Sequence, residues 1–367
     1  MSLFPLNTSE KFVLRAVHSH GAVTRQQIAT ALGVSKMQAT NIVKSLTEKG
    51  LLTETPKNQG LRGQPARALS IHPKGMYTLG VNFTEQHVDT VLMNGVGTIE
   101  AKQTFAIEHA DVNAIVAHVN AFIGATLSRK RIPAKRLVGV GVSVPGDFID
   151  DRKIIVPTYF PQLTNVNLEA AFQQQLDYPV YIENDSNCAG WGEAMYGRGK
   201  ALKHFLYINI GYGIGGGIII HQRLYRGAHG NAGIFGTPFP DRNAPRPSGS
   251  DLLATLQQHA IDVSSFHQLE HLPVAETPAV QGWLQRAAAQ LRQPLYVLAR
   301  AFDPEAIIIG GRLPIAYYDY LVTQIDDGSI FQSDWGPTPQ PQLLSTSLGD
   351  LAGVVGSCSL CYTQLFD

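Results

Sequence analysis

The feature that most limits the fold is an order of elements met twice within residues 76–367. The runs MYTLGVNFT, HVDTVLMN and GTIEAKQTFAI read as three strands joined by short turns. A long helix follows (about 111–130), then the apolar run LVGVGVSV ending at Pro145-Gly146. A helix near 167–176, the run YPVYIEN and a helix from Asp185 close this round. A second round opens with HFLYINIG and GGGIIIHQ and includes a long helix near 279–302. The run EAIIIGG and a last apolar helix near 350–364 complete it. Strand hairpins followed by alternating helices and strands, occurring twice, predict two α/β lobes with a cleft between them. The doubling rests on element order, since the halves share no visible residue-level identity.

Residues 1–75 read differently. Phe12, Val13, Leu14, Ala16 and Val17 make one stripe over 8–20, with Thr8 or Ser9 as the expected N-cap and Gly21 as the end. Thr24 opens RQQIATAL, which stops at Gly33. Ser35 opens KMQATNIVKSLTEKG, with Met37, Ile42, Val43 and Leu46 expected to face inward and Gly50 marking the end. Two short helices joined through Leu32-Gly33-Val34-Ser35 predict a helix-turn-helix. LLTETP and ARALSIHP then read as two strands around the basic, glycine-rich tip KNQGLRGQP, the wing of a winged helix.

The second helix of the pair is expected to lie in the major groove of duplex DNA with its leading residues on base edges. Gln and Asn can pair bidentately with adenine, and Lys can contact guanine or phosphate. In the wing, Arg62-Gly63-Gln64-Pro65 resembles an Arg-Gly-Arg-Pro minor-groove hook with Gln in place of the second Arg. Only a side chain on a thin backbone enters a groove ~6 Å wide. The candidate DNA contacts are therefore Ser35, Lys36, Gln38, Thr40, Asn41 and Lys44 in the helix, and Arg62, Gly63 and Gln64 in the wing.

Charge agrees with this division. The 367 residues carry 29 Lys+Arg and 29 Asp+Glu, yet residues 1–75 hold a net +7 and the remainder a net −7. A basic head on an acidic body fits a polyanion-binding head joined to a body with another task. No apolar run approaches the ~20 residues of a membrane span, and MSLFPLNTSEKF does not read as a signal peptide. Cys188, Cys358 and Cys361 form neither a disulfide framework nor a zinc pattern. A cytoplasmic setting is the expectation.

Three stretches of the body can carry chemistry. IENDSN sets Asn184 and Asp185 where a strand ends and a helix begins, a position that points side chains into a cleft. The carboxylate there is either a general base or polyol anchor, or part of a plain helix cap. Gly211-Tyr212-Gly213-Ile214-Gly215-Gly216-Gly217 lies between strands, where bare amides can approach a phosphate and where a tight turn also needs glycine. Ile309-Gly310-Gly311-Arg312 ends another strand.

In combination these stretches resemble the ROK family of repressors, open reading frames and kinases. The matching motifs are Gly139-Val140-Gly141-Val142-Ser143-Val144-Pro145-Gly146, Glu183-Asn184-Asp185-Ser186-Asn187, the 211–217 glycines with Tyr225-Arg226-Gly227, Ala232-Gly233, and Ile309-Gly310-Gly311-Arg312. The resemblance covers essentially the whole chain and implies an actin-like (ribonuclease-H-like) body. Its expected partition is a head over 1–75, a first lobe over 76–186 completed by the helix 351–367, and a second lobe over 187–350.

The departures matter as much. Family kinases end the first body strand in an Asp-x-Gly-Gly-Thr phosphate loop, and here Asn82-Phe83-Thr84-Glu85-Gln86 stands in its place. The metal-side carboxylate is missing, and an added one would repel phosphate. Tyr212 replaces a phosphate-contacting Thr. The family's Ala-Gly-Glu-x-Gly-His stretch reads Ala232-Gly233-Ile234-Phe235-Gly236-Thr237, which loses two sugar contacts and a zinc ligand. The loop after it has no Cys or His, so no metal is expected. The Pro-Asn-Leu sugar contact has become Pro161-Gln162-Leu163.

The resemblance therefore implies a transcription regulator, not an enzyme, with no cofactor. It would dimerise or form a higher homo-oligomer on an inverted-repeat operator and answer to a sugar-like effector held by Gly146, Gln162, Asn184, Asp185 and Thr237. Two alternatives stand beside it. One is a sugar kinase with an ancillary DNA-binding head, and the other is a regulator whose body is a protein-docking module with a vestigial cleft.

Overall fold

The computed structural model describes residues 5–56, 67–84, 87–106, 111–149, 154–155, 160, 163, 166–236, 245–332 and 335–366. Two compact units divide the chain: residues 1–142, 166–182 and 357–367, and residues 143–165 and 183–356.

The first unit opens with the head. Helices α1 (Thr8–His20), α2 (Arg25–Leu32) and α3 (Lys36–Glu48) are joined by a sheet of β1 (Val23–Thr24), β2 (Leu52–Pro56) and β3 (Arg67–Ile71) in the order β1-β3-β2. The cap of α1 is Asn7, not Thr8 or Ser9, because Glu10 three residues on completes a reciprocal pair: Glu10 N donates to Asn7 Oδ1 and Asn7 N to Glu10 Oε2. Thr24 with Gln27 and Ser35 with Gln38 repeat that device. Gly33 takes the left-handed conformation that ends α2 (φ 65°). The short strand β1 has no sequence signal beyond its two residues.

The body part of this unit is a five-stranded sheet in the order β10-β7-β4-β5-β6. Its members are β4 (Tyr77–Phe83), β5 (His87–Asn94), β6 (Ile99–Ala106), β7 (Leu137–Val144) and β10 (Val180–Asn184). The first three form the expected antiparallel meander. Helix α4 (Val112–Lys130), capped by Asp111, leads into β7. In chain order, β8 (Asp147–Phe148), β9 (Ile154–Ile155) and α5 (Leu168–Gln175) separate β7 from β10. The alternating glycines of β7 are packing residues: a Cβ on Gly141 would stand 1.8 Å from the Ser357 carbonyl and one on Gly139 3.2 Å from Cys361 Sγ. Both facing residues belong to the C-terminal helix, which thereby lies directly on the strand.

The second unit holds α6 (Asp185–Tyr196) and a sheet of order β13-β12-β11-β14-β15. Its strands are β11 (Phe205–Ile210), β12 (Ile214–Ile220), β13 (Arg223–Leu224), β14 (Ala306–Gly311) and β15 (Gln342–Ser345). Strand β11 is antiparallel to β12 and parallel to β14. Helices α7 (Gly249–Gln258), α8 (Pro278–Phe302) and α9 (Ile315–Ile325) supply Leu252, Trp283, Leu284 and Tyr318 to the core beside Ile208 and Ile309. Helix α10 (Ala352–Phe366) closes the chain.

These units differ from the expected partition. Residues 143–165, 183–186 and 351–356 join the second unit, and the head does not separate from the first. Side chains explain the shift at 143–165 and 183–186. Asn231 clamps Phe148 through both backbone groups, accepting from Phe148 N at 2.7 Å and donating to Phe148 O at 2.8 Å, and Arg226 pairs with Glu183.

Candidate nucleic-acid interface and ligand site

Helix α3 buries Ala39, Val43 and Leu46, leaving Lys36, Met37, Gln38, Asn41 and Lys44 exposed. Met37 was expected in the core and is instead 76% exposed. The reason is angular: at about 100° per residue, Met37 lies about 120° round the helix from Val43, whereas Ala39 lies only about 40° away. Other reading candidates are partly committed. Ser35 N donates to Gln38 Oε1 (3.0 Å) and Gln38 N to Ser35 Oγ (3.2 Å), which ties both side chains to the helix start. The Thr40 hydroxyl donates to Lys36 O (2.8 Å). Lys44 stands 3.8 Å from Glu48 across exposed surface, a weak pair. Arg62, Gly63 and Gln64 lie outside the described residues.

Two of the three acids of the head face its interior. Glu54 pairs with Arg25 and, at 3.5 Å, with Arg67. Glu10 is buried, which works against ionisation, but Lys49 Nζ (2.6 Å) and the Ser45 hydroxyl (2.7 Å) outweigh that and hold its carboxyl below the ordinary range. Two of the three acids are thus spent internally, and the positive excess remains for the surface.

Among the described residues, the side chains of Arg136 and His18 help to hold the head to the body part of its own unit. Arg136 Nη1 donates to Lys49 O (2.9 Å) and Gly75 O (2.8 Å). The His18 ring lies 5.3 Å from that of Tyr362 and 5.7 Å from that of Phe366.

In the second unit the segment 183–187 holds the expected effector residues Asn184 and Asp185. Asn184, not Asp185, caps α6: its Oδ1 accepts from Ser186 N (2.9 Å) and Asn187 N (3.2 Å), and its Nδ2 donates to Gly146 O (2.9 Å). The structure thus joins the expected Asn184 and Gly146, but most of Asn184's capacity goes to holding the backbone. Asp185 stands in the first turn of α6, where the helix dipole favours its charge, and its Oδ1 accepts from Ser186 N at 2.7 Å. Gln162 and Thr237 lie outside the described residues.

Three neighbours escaped the candidate set. Glu183 is 3% exposed, and burial pushes its carboxyl up against the pull of Arg226, whose Nε lies 2.7 Å from Oε2. Arg226 also lies over the Phe148 ring at 5.1 Å, and Asn231 fixes that ring's backbone. Tyr225-Arg226-Gly227 was the available signal, but its pairing with Glu183 is a long-range fact.

The glycine run divides by role. Cβ atoms on Gly215 and Gly216 would stand 2.2 Å from Ser186 Oγ and from Phe235, so these two serve close packing. Gly213 has open space around it, and Gly211 only ordinary contact at 3.6 Å. Gly311 is a backbone requirement (φ 134°). At the end of β4, Asn82 and Thr84 are buried, and the Thr84 hydroxyl donates to His87 O (2.7 Å). Glu85 and Gln86 lie outside the described residues, as do 237–244, where the family's zinc loop falls. Among the described residues no three His, Cys, Asp or Glu side chains cluster as metal ligands, and no helix is long and apolar enough to cross a membrane.

A winged helix joined to a two-unit α/β body defines the class: DNA-binding regulators built on a sugar-kinase-like scaffold. The chain belongs to the ROK family, whose pattern matches residues 78–364, and residues 4–61 match the MarR family. It is 33% identical over 363 residues to the uncharacterized protein y4fQ of Sinorhizobium fredii (98% of this chain, 92% of the relative). It is 25% identical over 382 residues to the xylose repressor of Bacillus spizizenii (99% and 97%). Its fold matches a ROK family transcriptional regulator described as a homolog of the E. coli MLC protein (TM-score 0.75, 18% identity, 98% of this chain and 96% of that one). ROK kinases are similar too: a Streptomyces griseus glucokinase solved with glucose and AMPPNP matches with TM-score 0.63 at 24% identity (77% and 98%).

Proposed function

We propose that the chain is a transcriptional repressor of genes for carbohydrate uptake or catabolism, binding an inverted-repeat operator as a homodimer or higher oligomer and answering to a sugar-like effector. The observation that carries this reading is the polar and cationic outer face of α3, with Lys36, Asn41 and Lys44 exposed, in a head fused to a ROK body. The likeness to xylose repressors along the whole chain supports it. Asp185 is the effector's main polar anchor, because Asn184 is largely occupied as a cap. A carboxylate can accept from two sugar hydroxyls in bonds contributing roughly 1.5–3 kcal/mol each.

Selection of bound duplexes from a random library, followed by titration in a salt series, tests the first half. The logarithm of affinity should fall with the logarithm of salt by ~0.9 per phosphate neutralised. Binding indifferent to salt and sequence refutes it. A sugar panel read by melting temperature tests the second half, since a ligand of the folded state raises the midpoint. A flat panel favours the docking-module reading.

A second reading, a sugar kinase with an added head, is favoured by Asp185, a carboxylate in the first turn of α6. Asn82 weakens it, because an amide supplies no charge on the metal side of a phosphate loop. Transfer of phosphate from ATP to any sugar, lost in Asp185→Asn, would establish it.

A further inference from the structure

On α3, Met37, Asn41 and Lys44 follow at i, i+4 and i+7, so they share one outward face. Gln38 and Ser35 are tied into the capping pair, and the Thr40 hydroxyl is bonded to the backbone. One of the exposed side chains on that face is thus an apolar one. Met37 is 76% exposed, and Val43 and Leu46, the apolar residues that do pack inward, are fully buried. A long apolar side chain left in water at the leading end of a reading helix gains nothing in the free protein.

The major groove supplies one apolar feature, the 5-methyl group of thymine, and no other base carries it. We infer that Met37 is a base-reading residue, its flexible thioether packing on a thymine methyl in each half-site. This deepens the DNA-binding reading above and rests on it. Four residues of helix rise about 6 Å and base pairs stack at 3.4 Å, so the thymine lies one or two base pairs from the base that Asn41 reads. Methionine suits this role because its unbranched chain adapts to a methyl without a fixed rotamer.

The test uses the full chain and the duplex it selects from a random library. Each thymine is replaced in turn by deoxyuridine, which removes only the methyl group, and affinity is read by fluorescence anisotropy. Wild type should lose about three- to fivefold at one thymine position per half-site, the value of one buried methyl. In Met37→Ala that penalty should vanish, Met37→Leu should restore it, and Asn41→Ala should keep it while losing its own base preference. Met37 is exposed, so the melting curve of Met37→Ala should match wild type.

Wild-type binding that ignores deoxyuridine at every position overturns the assignment, as does a Met37→Ala variant that keeps the penalty. A Met37→Ala variant that changes only the oligomeric state, measured by sedimentation, also overturns it and makes Met37 a contact between copies. In each of these outcomes a selected sequence still exists, so DNA binding stands. A library that yields no enriched sequence removes the DNA-binding reading itself and Met37's role with it.

Discussion

Arg136→Ala should loosen the head and blunt the effector response together. Its guanidinium bridges the end of α3 and the start of the body, donating to the carbonyls of Lys49 and Gly75 at 2.9 and 2.8 Å. Gly50 makes room for it: a Cβ there would stand 3.0 Å from Arg136 Nη2, and φ at Gly50 is 70°. Hydrogen bonds from a charged donor contribute roughly 1.5–3 kcal/mol each. Arg136 is half-buried, so water compensates part of the loss, and about 2 kcal/mol is expected for the pair. In a unit of this size that corresponds to a fall of about 4–8 °C in melting temperature. Operator affinity should change little, since the carbonyls that Arg136 holds lie at the end of α3 and at the start of the body, away from the leading residues of that helix. The change in affinity on adding a responsive sugar should shrink at least threefold. Circular dichroism melts and anisotropy with and without the sugar read both quantities. A variant that melts within about 1 °C of wild type and keeps its full sugar response refutes the clamp.

Asp185→Asn should abolish the sugar-induced shift in melting temperature and leave operator binding intact. Retention of the full shift would reduce Asp185 to a first-turn residue, because Asn184 already provides the cap. For Asp89, burial raises the carboxyl, but the neighbouring His87, the Thr104 hydroxyl (2.5 Å) and Lys102 outweigh it and bring it to about 2 from 3.8. The folded value lies below the unfolded one, so the stabilisation is present above about pH 4 and is lost as pH falls toward 2. It amounts to about 2 kcal/mol. Asp89→Asn should therefore be destabilised by about that much in urea titrations at neutral pH, and should match wild type near pH 2. An equal gap at both pH values would contradict the assignment. Dialysis against a chelator should leave the melting midpoint unchanged, and elemental analysis should find no stoichiometric zinc. Chelator-induced unfolding would show that a site was missed.

Local signals were legible in the sequence wherever the physics is local. Ser35 followed by Gln38 and Thr24 followed by Gln27 mark helix starts through bonds three residues apart, and all strands of the two five-stranded sheets except β13 and β15 follow from runs with turn residues between them. Met37 departs from the expected inward stripe because the 3.6-residue period, not apolar character, decides which side of a helix faces the core. Asn184 and Asp185 could not be assigned separate roles from sequence, since either residue type can cap. Glu183 with Arg226 and Phe148 with Asn231 join positions 43 and 83 residues apart, and no periodicity encodes such pairs. The glycines of β7 and β12 were legible as glycines, but their reason is the approach of α10 and α6, which only the fold supplies.

Regulation asks for a particular magnitude. A hundredfold change in operator affinity needs ~2.7 kcal/mol of coupling between effector and head. Two continuous elements can carry it. Strand β7 has the Arg136 clamp immediately before it, and Gly146, which accepts from Asn184, lies two residues beyond its end. Helix α6 begins at Asp185 and packs against the first turn of α10, where a Cβ on Gly356 would stand 1.7 Å from the Cys188 carbonyl and one on Gly192 2.4 Å from that of Ala352. Helix α10 then carries Tyr362 and Phe366 to His18 of the head. Backbones this close leave little slack, so an effector held by Asp185 should act on α10 through α6. The clamp at Arg136 and the ring contacts at His18 lie on opposite branches of this path. If both transmit, substitutions on the two branches should reduce the effector response additively, and if one is idle its substitution should leave the response of the other unchanged.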